Sequence, residues 1–327
     1  MATYKGIQGY SVQKLADDPT AADAVGQLWY NSTAGKFKIS VEGAGAWASG
    51  GVMNTGRDGF AAFGIQTAAI AAAGYQTPTV KNEVEEYNGT AWTEKANVNT
   101  ARRLSKGAGT TTAGLIYGGL TGAPSPVANV GSTEIWNGTS WTETADLQAV
   151  KRAMGSAQQG TTTAALTYGG DNSALLTVNE SWNGTSWSEQ NNLNTARENP
   201  GGAGIQTAAL CFGGAAAPGN SAVTETWNGT SWTEVGDLNT ARPYLGGAGS
   251  NTAALAIGGG TYPPVIANTE SWNGTSWTEL ADLATARANL GGAGTSLAAL
   301  AYGGANTLTA TEEWNDPVYT NKTVTVS

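Results

Sequence analysis

Hydrophobic positions along this chain come in short runs of four to six residues, separated by Gly, Asn, Thr and Pro, with no 3.6-residue apolar period anywhere. The runs predict strands. Ala-rich runs ending in glycine recur as "TAALTYGG", "TAALCFGG" and "TAALAIGG", with "TAAIAAAG" ending at Gly74. Each is preceded by a Gly-rich piece such as "LGGAG" and followed by "TETW" and "SWTEV". Between the last two stands "WNGTSW", where Asn-Gly predicts a hairpin tip of type I′ with positive φ at both central residues. One period therefore reads as four short strands.

The period is written out six times. Arginines recur at Arg57, Arg102, Arg152, Arg197, Arg242 and Arg287, and a glutamate stands two residues before an aromatic at Glu85, Glu134, Glu180, Glu225, Glu270 and Glu312. Repeats of 40 to 50 residues, each too thin to bury both faces alone, predict β-propeller blades. From the second hairpin tryptophan to the next arginine is ten residues for Trp92, Trp187, Trp232 and Trp277, and eleven for Trp141. Trp47 stands ten before Arg57. It is therefore expected on the outer strand of a blade whose first three strands lie at the other end of the chain, near "LAALAYGG" and "TEEWN". The predicted fold is all-β, a six-bladed β-propeller of four-stranded blades closed by an N-terminal outer strand, with a short N-terminal β-hairpin arm. Such closure removes free sheet edges. The expected organisation is an N-terminal arm or attachment segment over 1–45, the propeller over 46–316, and a C-terminal strand or tail over 317–327.

The Gly-Gly after an apolar strand, the two aromatics of the outer hairpin and the arginine opening each unit resemble the kelch-type propeller repeat over roughly residues 47–316. The aromatic-to-Trp interval of five and the richness in Ala, Thr and Gly depart from typical kelch units. A second resemblance covers less: "GQLWYNSTAGKFKISVEGAGAW" is similar to N-terminal stretches of tailed-bacteriophage virion proteins, and the "NGTSWTE" arrays to those of marine phage tail proteins. This resemblance implies a virion component, made in the host cytoplasm, with other virion proteins as partners through the N-terminal arm. A homo-oligomer is a further possibility.

Charge and composition narrow the chemistry. Sixteen basic against 25 acidic residues give a net charge of −9, which repels nucleic-acid phosphates. No apolar stretch is long enough to span a bilayer, and "MATYKGIQGYSVQKLADDP" lacks the apolar core of a secretory signal. The single cysteine, Cys211, sits in an apolar run and reads as a small core residue. Histidine is absent, which removes Ser-His-Asp hydrolysis and the copper site of the galactose oxidases that share the kelch fold. Six Arg and six Glu at equal phase read as one pair per blade, tying a middle strand to the start of the next sheet, and the tryptophans read as inter-blade packing. With those six arginines assigned, only Arg103 is left over, too few for the arginine cluster of a sialidase. No metal, cofactor or catalytic residue is predicted.

What varies between blades is the connection from the second glycine of the doublet to the hairpin aromatic, between ten and seventeen residues long. That connection carries "LTGAPSPVANVGS", "DNSALLTVN", "AAAPGNSAVT", "GTYPPVIANT" and "ANTLTAT" on one face. Function on repeat scaffolds sits on variable loops. The candidate ligand-binding residues are accordingly Thr121, Pro124, Pro126, Asp171, Asn172, Asn220, Thr261, Tyr262, Pro263 and Asn306. The expected function is a non-enzymatic virion propeller of tail-fibre type that presents these loops to a host-surface glycan or protein. The alternatives are a purely structural decoration or connector protein and, behind that, a sialidase-like glycan hydrolase or a surface lectin.

Overall fold

The structure is a computed structural model and describes residues 12–122, 126–260, 264–306 and 308–325. The chain divides into two compact units, residues 47–314 and a unit built from 1–46 with 315–327.

The larger unit is a β-propeller. Among the described residues it holds six four-stranded antiparallel sheets, called sheets 1 to 6 in chain order. Sheet 4 shows the pattern: Gly201–Ile205 pairs with Ala208–Phe212, that strand with Thr224–Trp227, and that with Trp232–Glu234. The first strand of each sheet packs against the first strand of the next, and that of sheet 6, Gly291–Gly294, against that of sheet 1, Ala61–Ile65. These strands are glycine-rich because they approach too closely for side chains. A Cβ on Gly247 would stand 2.1 Å from the Gly202 carbonyl oxygen of the neighbouring sheet.

Sheet 6 receives its fourth strand from the other end of the chain, Ala46–Ser49 beside Thr311–Asn315. Trp47 packs on Trp314 with ring centroids 5.5 Å apart, and its Nε1 donates to Thr269 Oγ1 of sheet 5 at 3.0 Å. The same join recurs between other sheets. Trp277 of sheet 5 meets Phe212 of sheet 4 at 4.9 Å and donates to Thr224 Oγ1, and Trp92 of sheet 1 meets Tyr302 of sheet 6 at 4.9 Å and donates to Thr311 Oγ1. The outer tryptophans thus staple each sheet to the one before it. Cys211 is buried in the core, where desolvation pushes its thiol up to about 12 and leaves it inert.

The hairpin tips differ from the type I′ expectation. Trp136 pairs with Trp141, so four residues form the loop, and of Asn137 and Gly138 only Gly138 has positive φ. The Asn137 Oδ1 accepts the N–H groups of Thr139 and Ser140, both at 2.9 Å. Asn is required here for its side-chain acceptor rather than for left-handed backbone.

The repeated ion pairs also need two corrections. Each glutamate pairs with the cation that opens its own sheet, not the next one: Arg197 Nη2 lies 2.5 Å from Glu225 Oε1, and both side chains are fully buried. The same carboxylate accepts the N–H groups of Asn194 and Thr195, so it clamps the link that enters the sheet. In sheet 3 the buried cation is Lys151, 3.1 Å from Glu180, and Arg152 lies outside the repeat. The eleven-residue count from Trp141 falls to the common ten when Lys151 takes the place.

The smaller unit is a four-stranded sheet of Gln13–Leu15, Leu28–Asn31, Lys36–Gly43 and Val318–Thr323, in that order. The expected hairpin is its centre, and the C-terminal segment, expected as a strand or tail, forms a strand beside it. Asp18 ties it together, accepting from Trp29 Nε1, Asn31 Nδ2 and Lys38 Nζ, which hold its carboxyl below the usual range.

Candidate site at the mouth of the propeller axis

Two residues after each buried cation, the backbone turns left-handed: Gly59, Leu104, Ala153, Asn199, Tyr244 and Asn289 have φ between 49° and 62°. Bulky residues such as Leu and Tyr adopt this only under constraint. The constraint is a closed belt of backbone hydrogen bonds. Gly59 N donates to Asn289 O, Asn289 to Tyr244, Tyr244 to Asn199, Asn199 to Ala153, Ala153 to Leu104 and Leu104 back to Gly59, at 2.5–3.0 Å. Six links return to their start.

One residue nearer each cation lie Asp58, Arg103, Arg152, Glu198, Pro243 and Ala288. Here the repeat stops repeating. Four of the six are charged, and with Leu104, Asn199, Tyr244 and Asn289 these four line an open cavity of about 410 Å³. Arg152 pairs with Asp171 Oδ1 at 2.8 Å and reaches Asn129 Oδ1 at 3.3 Å. Arg103 lies 4.4 Å over the Tyr75 ring, and its buried Nε has no hydrogen-bond partner among the described residues. Burial pushes the Asp58 carboxyl up to about 6, against the pull of Arg103. Burial, helped by Asp171 and opposed by Arg152, also raises Glu198.

The other end of the axis is blocked. Eighteen residues separate Lys151 from Gly169, where sixteen separate the cation from the doublet in sheets 2, 4, 5 and 6. The two extra residues are Gln158 and Gln159. Gln159 N donates to Gly204 O in sheet 4 and its Nε2 to Gly294 O in sheet 6. With its nitrogen turned toward them, the Gln158 amide donates to Gly247 O at 2.8 Å and Gly292 O at 3.1 Å. One segment reaches three other sheets only by crossing the centre of the ring. The mouth is therefore a cup rather than one end of a pore.

Of the sequence-predicted binding residues, Asp171 is tied directly to this mouth, through Arg152. Thr121 and Pro126 flank the lining residues Leu120 and Val127. Asn172, Asn220 and Asn306 are exposed on their loops. Pro124, Thr261, Tyr262 and Pro263 lie outside the described residues. Sequence reasoning missed Arg152, Glu198 and Tyr244. The signal was available in the two columns after the repeated cation, which change from blade to blade and in which Asp58, Arg103, Arg152, Glu198 and Tyr244 stand.

Asp58 carries a testable cost. Because its folded pKa lies above the ordinary 3.8, the folded state holds more protons than the unfolded between about pH 4 and 6, so its contribution to stability falls as pH rises through that window. The shift corresponds to at most about 3 kcal/mol, and solvent screening at a partly exposed carboxyl brings the expected value to about 1–2 kcal/mol. Asp58→Asn should therefore be more stable than wild type at pH 7 and equal to it near pH 4. Urea midpoints across that range check it, and a variant less stable at pH 7 would contradict the assigned burial.

No family model and no curated protein matches the chain. Among solved structures, one described as "Structure of YjhT" superposes with a TM-score of 0.66 at 12% identity, over 83% of this chain and 99% of that one. At that identity the likeness carries the β-propeller fold alone.

Proposed function

We propose that the propeller is a non-catalytic recognition disc of kelch type that binds a host-surface glycan in its mouth, as part of a phage virion. The observation that carries this is the break in the repeat beside the belt: between the recurring buried cation and the first strand, Asp58, Arg103, Arg152 and Glu198 differ from sheet to sheet and line one cavity. Two arginines, two carboxylates and the amides of Asn199 and Asn289 around a shallow cup offer donors and acceptors to a hydroxyl-rich ligand. An isolated cup of this kind binds weakly, and several copies on one particle raise the avidity. The virion setting rests on the resemblance of the repeat arrays and of the N-terminal segment. Phe37 and Leu28, exposed on the smaller sheet, support its use as an attachment surface to other virion proteins.

The experiment is adsorption by particles carrying Arg103→Ala/Arg152→Ala. Recognition in the mouth predicts assembled particles with adsorption lowered at least tenfold, and loss of glycan-array signal by the multimerised protein. Full adsorption with intact particles would overturn it in favour of a structural connector. A second reading, glycan hydrolysis, gains from the release of Arg152 from the repeat, which places two arginines, Glu198 and Tyr244 around one cavity. Turnover of sialosides or other glycans, lost in Glu198→Gln, would establish it instead.

A further inference from the structure

We propose that the small cavity at the belt, lined from all six sheets, is a binding site for a single halide ion. This inference concerns a different space from the mouth cup and holds whatever the mouth binds. The cavity is lined by the six belt residues and by Phe60, Ser105, Lys106, Leu245 and Leu290. Its volume is about 20 Å³, which admits one water-sized particle and excludes a polyatomic anion.

Its chemistry is one-sided. Lys106 occupies a position held by Ala61, Gly155, Gly201, Gly246 and Gly291 in the other sheets, so it is the one long side chain at a position otherwise without side chains beyond a methyl. No carboxylate lines the cavity, and Lys106 has no ion-pair partner among the described residues. Burial alone pushes its pKa down to about 8, with no compensating anion. Lys106 is half-buried, and an anion in the cavity would supply the counter-charge that no residue of the lining provides. Ser105, in the same lining, has a buried hydroxyl with no hydrogen-bond partner among the described residues. The backbone N–H groups of Phe60, Ser105, Leu245 and Leu290 follow left-handed residues and are not among the donors of the turn and loop hydrogen bonds. Backbone N–H groups beside left-handed residues are what anion concavities are built from. A lysine, an orphan hydroxyl and amides outside the turn and loop hydrogen bonds, around a space of one-particle size with no carboxylate in its lining, fit a monatomic anion.

The test is crystallographic and uses the full chain. Crystals of the wild type soaked in sodium bromide should show an anomalous bromine peak in the cavity, within about 3.5 Å of Lys106 Nζ, that is absent in Lys106→Met. In solution, exchanging chloride for gluconate at constant ionic strength should lower the melting temperature of the wild type and leave that of Lys106→Met unchanged. No peak in the cavity of the wild type, or equal melting of the wild type in both salts, overturns the proposal. Should Lys106→Met fail to fold, the wild-type map and melts decide by themselves.

Discussion

Arg197→Met is expected to lower the stability of the propeller by about 3–5 kcal/mol, because it strands the fully buried Glu225 carboxylate without its counter-charge. The arginine also donates to the Val223 and Gly213 carbonyl oxygens, which lose those partners together. The cost comes from isolating a charge, not from the net worth of the pair. Replacing both partners, as Arg197→Met/Glu225→Leu, is therefore expected to recover much of the loss, less the two backbone N–H groups that Glu225 clamps. Chemical denaturation of the three proteins measures both effects. If Arg197→Met falls within 1 kcal/mol of wild type, the pair is solvated in solution and the clamp is not the element that orders each link.

Trp47→Ala is expected to cost about 3 kcal/mol, at the lower end of the range for large-to-small changes at aromatic sites because Trp47 is only half-buried. It removes the ring contact with Trp314 inside sheet 6 and the bond to Thr269, by which the N-terminal strand ties sheet 6 to sheet 5. Because that strand completes a sheet begun at the far end of the chain, the loss should also expose a sheet edge. Faster aggregation than an equally destabilised variant elsewhere, read by light scattering at matched unfolded fraction, is the expected signature. Equal aggregation would show that the closing strand stays paired without its tryptophan.

Much of the architecture was legible because the repeat is copied so closely. The glutamates, the aromatics and the ten-residue count from Trp to the next cation each locate a strand or a link, and Trp47 falls into place by that count alone. Two local readings went astray for physical reasons. Asn-Gly was read as a two-residue turn, but the cross-strand pairing of the two tryptophans leaves four residues between them and gives Asn137 a capping role. Arg152 reads as one of six equivalent arginines because the repeat puts arginine there, whereas Lys151, one residue earlier, supplies the charge and frees Arg152 for the mouth. The predicted loop residues were chosen by variability. Variability also marks the column after each cation, and there it coincides with a cavity.

By itself the sequence determined the strand periodicity, the number of repeats and which charges and rings recur, since these depend on residues near one another in the chain. Which variable residues share a site was decided only by closing the ring. The belt from Gly59 to Asn289 brings positions about 45 residues apart into hydrogen-bond contact, and Gln158 and Gln159 cross the centre to touch three other sheets. Such contacts have no local signature, because they arise from the geometry of the circle and not from any stretch of chain.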